Sequence, residues 1–269
     1  MSHDIVGVIR EHYPNSLNLG WSGIGPLYYY QNLIEFGSVL KPETFLFIWF
    51  EGNDVTDLLE EQKTPLLAKY IGRKEPFGLF YLQAELDRFH QESIAEPTGV
   101  PIAAYTEKAR QIVTLYNLRK LLGMGAAGSR HPIIFDWLSK MGGKKQTQNY
   151  PPLAADTLRK ILSDARDVVA GWGGRFILVY LPAWKRACGR MKDMENHCPV
   201  LDHDFRRSEV LKVVADLNIE LVDLVPVFET EDDPFGLFFF PGSHYSERGF
   251  RVVAEAILRH MEGGTTRRG

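Results

Sequence analysis

Two stretches, TFLFIWF at 44–50 and RFILVYLP at 175–182, constrain the fold of this chain more than any other feature. Each is an almost unbroken apolar run bounded by turn signals, with Lys41-Pro42 before the first and Gly173-Gly174 before the second. A strand with one wet face alternates apolar and polar residues. A strand apolar at successive positions must be covered on both faces, as in a parallel sheet flanked by helices.

The segments around these runs carry the helical period. DIVGVIREHY at 4–13 predicts a short helix capped by Asp4, with Ile5, Val8 and Ile9 on one face. SLNLG at 16–20 predicts a minimal buried strand. LYYYQNLIEFG at 27–37 predicts a helix that stops near Gly37, before Pro42 prevents continuation. Later come a helix over LAADTLRKILSDARDVVAGW, the strand RFILVYLP, a helix over FRRSEVLKVVADLN, the strand IELVDLVP and a final helix over YSERGFRVVAEAILRHM. Strand and helix alternate, which predicts an α/β fold with an open sheet and helices on both faces. The stretch at about 58–150 is mostly helical with loops and is expected to be an insertion. No internal repeat is visible. The expectation is one domain over 1–263, with a disordered tail at 264–269.

The 269 residues, 45% hydrophobic, suffice for a sizeable core. A net charge of −3 offers no electrostatic case for nucleic acid or an anionic membrane. No run of about 18 apolar residues marks a membrane span. The start MSHDIVGVIREHYP lacks the apolar core of a secretory signal, so the chain as written is expected in the cytoplasm. Cys188 and Cys198 share a polar stretch and are either two thiols or a disulfide across that loop. His197 and His203 lie nearby, but no C-x-x-C spacing supports zinc.

Ligands of open α/β sheets bind beyond the carboxyl ends of the strands. That directs attention to GWSGIGP at 20–26, EGNDVTD at 51–57 and FFFPGSHYSERG at 238–249. Ser22 sits between glycines, yet a nucleophile elbow G-x-S-x-G from Gly20 would need glycine where Ile24 stands. The first turn also lacks G-x-G-x-x-G and a Walker lysine, which weakens a nucleotide-binding alternative. Asn53 presents a side-chain amide at a strand mouth, or simply completes a turn and helix cap. Glu51, Asp54 and Asp57 have no accompanying histidine to make a metal set. His244, just before the last helix, is placed where a general base could work.

In this order the three blocks resemble the SGNH (GDSL-like) hydrolases, and IREHYPNSLNLG, KPETFLFIWFEGNDVTDL, GWGGRFILVYLP, IELVDLVPVF and HYSERGFRVVAEAI look like a bacterial subgroup of that family. The resemblance implies a flavodoxin-like three-layer α/β/α sandwich with a parallel sheet and a helical insertion. It implies oxyanion-hole roles for Gly23 and Asn53 and a catalytic role for His244. It further implies an ester hydrolase or acyltransferase acting on an O-acyl ester, a small molecule or an acylated carbohydrate, with no metal or cofactor. Trp21 and Tyr28 to Tyr30 are compatible with a sugar face or with packing.

Two departures bear on activity. The family nucleophile lies in a Gly-Asp-Ser block on a central first strand, and no Gly-Asp-Ser occurs here. The expectation is a chain that begins after that strand, impaired or inactive as written, whose longer parent carries an export signal or anchor. The alternative is a non-catalytic SGNH-fold binding or remnant protein. The family's Asp before the histidine is also absent: Pro241 and Gly242 stand there, leaving Asp232 or Asp233 as substitutes.

Overall fold

A computed structural model describes residues 4–21, 23–82, 152–188, 203–240 and 243–265. The chain divides into two compact units, 1–77 with 145–269, and 78–144. Of the second, the described part is a 3-10 turn at Leu79–Leu82 with its flanking Gly78. The rest of this section concerns the first unit.

Its centre is a three-stranded parallel sheet: β1 (Thr44–Phe50), β2 (Arg175–Leu181) and β3 (Glu220–Asp223), in the order β1-β2-β3. Thr44 lies opposite Arg175 and Phe50 opposite Leu181; Ile177 lies opposite Glu220. The two apolar runs are therefore neighbouring strands in full register. The third strand is shorter than IELVDLVP because the Asp223 carboxylate accepts the Val225 N–H at 3.0 Å and turns the chain.

Helices cover both faces. On one side pack α2 (Pro26–Asn32), α4 (Asp54–Glu61), α6 (Ala155–Gly171) and α8 (His203–Asp216); on the other pack α1 (Ile5–Arg10) and α10 (Glu247–Thr265). The remaining short helices are α3 (Ser38–Leu40), α5 (Pro65–Ala68), α7 (Trp184–Cys188) and α9 (Val225–Glu229). Alternate strand residues serve the two faces. Phe47, Trp49, Phe176, Leu178 and Tyr180 join the first core, while Ile177, Val179, Leu181 and Val222 join the second. The fold is thus α/β with a parallel sheet between two helical layers.

Local chemistry explains the helices. The Asp4 carboxylate accepts the Gly7 N–H at 2.6 Å, as an N-cap does. In α6, Leu158, Ile161, Leu162, Ala165 and Val169 fall on one stripe and are wholly buried. The larger of these side chains each stabilise the fold by roughly 1.5–3 kcal/mol of transfer free energy. The helix expected to stop near Gly37 runs on through a π-helical turn at Leu33–Gly37 to Leu40, and ends where Lys41 takes φ +46° ahead of Pro42.

Three expectations need correction. Residues 16–20 form no strand: Leu17 is 62% exposed, and the segment joins no backbone ladder among the described residues. Its polar groups go elsewhere, the Leu19 carbonyl to the Asn32 amide at 2.8 Å and the Gly20 N–H to Asn18 at 2.8 Å. An apolar alternation becomes a strand only when a neighbour supplies the other half of the ladder. Next, residues 58–77 are not part of a separate insertion, because Leu58, Leu67 and Tyr70 are buried in the first core. Finally, α10 continues to Thr265, into the expected tail. Cys198 and the side chains of Cys188 and His203 lie outside the described residues. So do Ser22, Pro241 and Gly242, and most of the insertion at about 58–150.

Candidate functional site

β1 ends at Phe50, and Glu51, Gly52 and Asn53 carry the chain into α4. Asp54, 1% exposed, accepts the Phe50 N–H at 2.8 Å, and its other oxygen lies 3.4 Å from the Tyr29 hydroxyl oxygen. This fastens the start of α4 to the end of the strand. Asn53 is held in turn, since its amide Nδ2 donates to Asp57 Oδ2 at 2.6 Å. An amide nitrogen has two N–H groups, so one remains for a ligand.

The glycine turn at 23–25 meets the same helix. A Cβ on Gly25 would lie 2.5 Å from the Asp57 Cβ, so only glycine allows this approach. The Glu61 carboxylate accepts the Gly25 N–H at 2.5 Å and the Leu27 N–H at 2.9 Å, capping α2 from another helix. The Tyr29 hydroxyl donates to the Ile24 carbonyl at 2.9 Å. Gly23 has φ +78°, a left-handed conformation that glycine adopts without strain. Its N–H has no partner among the described residues. Asp57 thus touches both Gly25 of this turn and the Asn53 amide.

Beside Asn53 lies a small cleft, lined by Trp49, Glu51, Gly52, Asn53, Val55, Thr56, Tyr180, Arg206 and Val210. Its floor is the carboxyl ends of β1 and β2. Glu51 is paired with Arg186, whose Nε lies 3.1 Å from Oε2. Neither Gly23 nor His244 lines this cleft.

His244 is exposed, and its ring has no hydrogen-bond partner among the described residues. Its backbone is fixed: the carbonyl accepts the Phe239 N–H at 3.2 Å, and Tyr245 bridges Phe238. The buried Tyr245 hydroxyl donates to the Pro182 carbonyl at 2.5 Å, just past β2. His244 therefore stands at the same end of the sheet as the other two segments. Asp233 does not orient it; that carboxylate accepts the Gly236 N–H at 3.0 Å and pairs with Arg248 at 3.4 Å. Of the aromatics weighed for a sugar face, Tyr30 is core and Trp21 is 81% exposed.

The acids of α4 were legible as residues but not as a clamp. Asp54, Asp57 and Glu61 recur at helical spacing and so share a face, yet each holds a different segment: Asp54 the end of β1, Asp57 the Asn53 amide, and Glu61 the Gly25 and Leu27 N–H groups. Among the described residues no group of three His, Cys, Asp or Glu side chains is arranged to hold a metal. No described helix is long and apolar enough to cross a membrane.

Burial pushes the Asp54 carboxyl well above the ordinary carboxylate range, against the opposing pull of the Phe50 N–H. Burial also raises Asp57, and raises Glu61 against the Leu27 and Gly25 N–H groups. A folded pKa above the unfolded one means the folded state keeps a proton that the unfolded chain has lost. The contribution of these groups to stability is therefore largest below about pH 4 and declines as pH rises toward the raised values. Asp54→Asn removes the charge and keeps one acceptor oxygen, enough for the Phe50 N–H. In thermal melts at about pH 5 and about pH 8, the variant is expected to gain on the parent as pH rises. A difference between the two proteins that is constant with pH would rule out an ionisable, destabilised Asp54.

No protein-family model matches this chain, and no curated protein matches it.

Proposed function

We propose that this chain is an SGNH-type ester hydrolase or acyltransferase on a flavodoxin-like sandwich, acting on an O-acyl ester of a small molecule or carbohydrate. The observation that carries this is the Asn53 amide: it stands at the carboxyl end of β1, on a cleft, steadied by Asp57 with one N–H to spare. The Gly23 N–H, in a turn clamped to the same helix, is the second oxyanion donor. As a tetrahedral intermediate forms, both donors stabilise the developing negative charge, each worth ~10²–10³ in rate. His244 takes the proton of the attacking serine and returns it to the leaving alcohol. That serine belongs to a Gly-Asp-Ser block, which residues 1–269 do not contain.

One observation favours the second reading, a non-catalytic binding protein of the same fold: among the described residues, no serine or cysteine lines the cleft. Hydrolysis of p-nitrophenyl acetate separates the two. The 269-residue chain is expected to turn over no faster than its His244→Ala variant. A chain extended upstream to include the serine block is expected to hydrolyse the ester, and to lose ~10²–10³ in kcat with Asn53→Ala. An extended chain that carries the serine and stays inert would leave the binding protein as the answer.

A further inference from the structure

We infer that Tyr29 and Glu61 are positioning residues for the oxyanion turn: together they grip the Ile24–Gly25 peptide by its two edges and so hold the Gly23 N–H in place. The inference rests on the esterase reading above. The Ile24 carbonyl accepts the Tyr29 hydroxyl at 2.9 Å, and the Gly25 N–H donates to Glu61 Oε1 at 2.5 Å. These two groups belong to one peptide unit. That unit is planar and trans, so its C=O and N–H point in opposite directions. A partner on each edge fixes the plane, where a single partner would let it rock.

The turn has little stiffness of its own. Gly20, Gly23 and Gly25 fall within six residues, and glycine has the most backbone freedom to lose. A Cβ on Gly23 would meet nothing within 4 Å, so packing does not hold that residue. Gly25, at the N-cap of α2, has no side chain with which to cap. Yet an oxyanion donor acts by being aimed before the charge develops. The stiffness is supplied from outside the turn. Glu61 reaches Gly25 from 36 residues away, and Asn32 holds the Leu19 carbonyl at 2.8 Å on the other flank.

Both grips are themselves anchored. The Tyr29 ring stands edge-on to Phe47 at 5.5 Å, and its hydroxyl oxygen lies 3.4 Å from Asp54, the residue after Asn53. Burial, and then the charges of Asp54, Glu61 and Asp57, hold this hydroxyl well above the ordinary tyrosine pKa, so it remains a donor. Glu61 is 7% exposed and ends α4, the helix that starts from Asn53. One helix thus carries one oxyanion donor at its start and half of the grip on the other at its end.

The test uses two substitutions that keep the packing. Tyr29→Phe deletes one oxygen, and Glu61→Gln leaves one acceptor oxygen for two N–H groups. In the 269-residue chain, amide nitrogen relaxation is expected to give the Gly23 N–H an order parameter of about 0.85. It is expected to fall in each variant and to drop below about 0.6 in the double variant. Tyr29→Phe is expected to lower the melting temperature by only a few degrees. In the chain extended to the serine block, Tyr29→Phe is expected to lower kcat on p-nitrophenyl acetate at least about tenfold, with KM unchanged within about twofold. An order parameter unchanged in the double variant would overturn the grip, whatever the activity. A lowered order parameter with kcat unchanged, in an active extended chain, would overturn its part in catalysis. An inert extended chain would overturn the esterase reading and the catalytic role with it, and the order parameters would then decide the grip alone.

Discussion

Trp49→Ala is expected to cost about 3–5 kcal/mol of stability, among the largest effects available to one substitution here. Trp49 is 1% exposed, on the β1 face that packs into the first core. Its indole contributes to the cleft wall as well as to the packing. Truncation removes the transfer free energy of a large ring and leaves a void that strands and helices on fixed hydrogen bonds cannot close. For a chain of this size each kcal/mol shifts the melting temperature by roughly 2–4 °C, so the shift is on the order of 10 °C. Trp21, 81% exposed, is the internal control, and its replacement by alanine is expected to change stability by at most about 0.5 kcal/mol. Equal melting shifts for the two variants would show that Trp49 is not packed as described.

Arg186→Ala is the second large effect, for a different reason. The Glu51 side chain is 1% exposed and that of Arg186 is 11% exposed, so the pair is removed from water. Removing the guanidinium takes a close compensating charge from a buried carboxylate, at up to about 3–5 kcal/mol. Replacing both partners with apolar residues removes the uncompensated charge along with the pair. The double variant Glu51→Leu/Arg186→Met is therefore expected to be more stable than Arg186→Ala by at least about 1 kcal/mol. Denaturant unfolding of the parent, both singles and the double closes this cycle. Additive losses would mean that the two side chains do not interact.

Much of the scaffold was legible in the sequence. The bounds of β1 coincide with the run TFLFIWF, and β2 takes all of RFILVYLP but its proline. Two-sided burial leaves its mark on every residue of such a strand. The Asp4 cap was legible for the same reason, since donor and acceptor lie three residues apart. Of the site, the three rim segments could be marked because the carboxyl ends of strands are defined once the strands are. That Asn53 borders a cleft and His244 does not could not be read, because a cleft is made by several elements at once.

The sequence by itself determined the strands that carry both faces' apolar side chains, the helical stripes against them and the turn residues between. These properties are set within a few residues of each position. Tertiary structure alone decided that Ser16–Gly20 stays out of the sheet, that Thr44 registers with Arg175, and that Glu61 holds Gly25 and Leu27 from 36 and 34 residues away. Backbone donors and acceptors carry no address in the sequence. Which ones meet depends on how the cores bring distant segments together, and a strand pattern with no neighbour remains a loop.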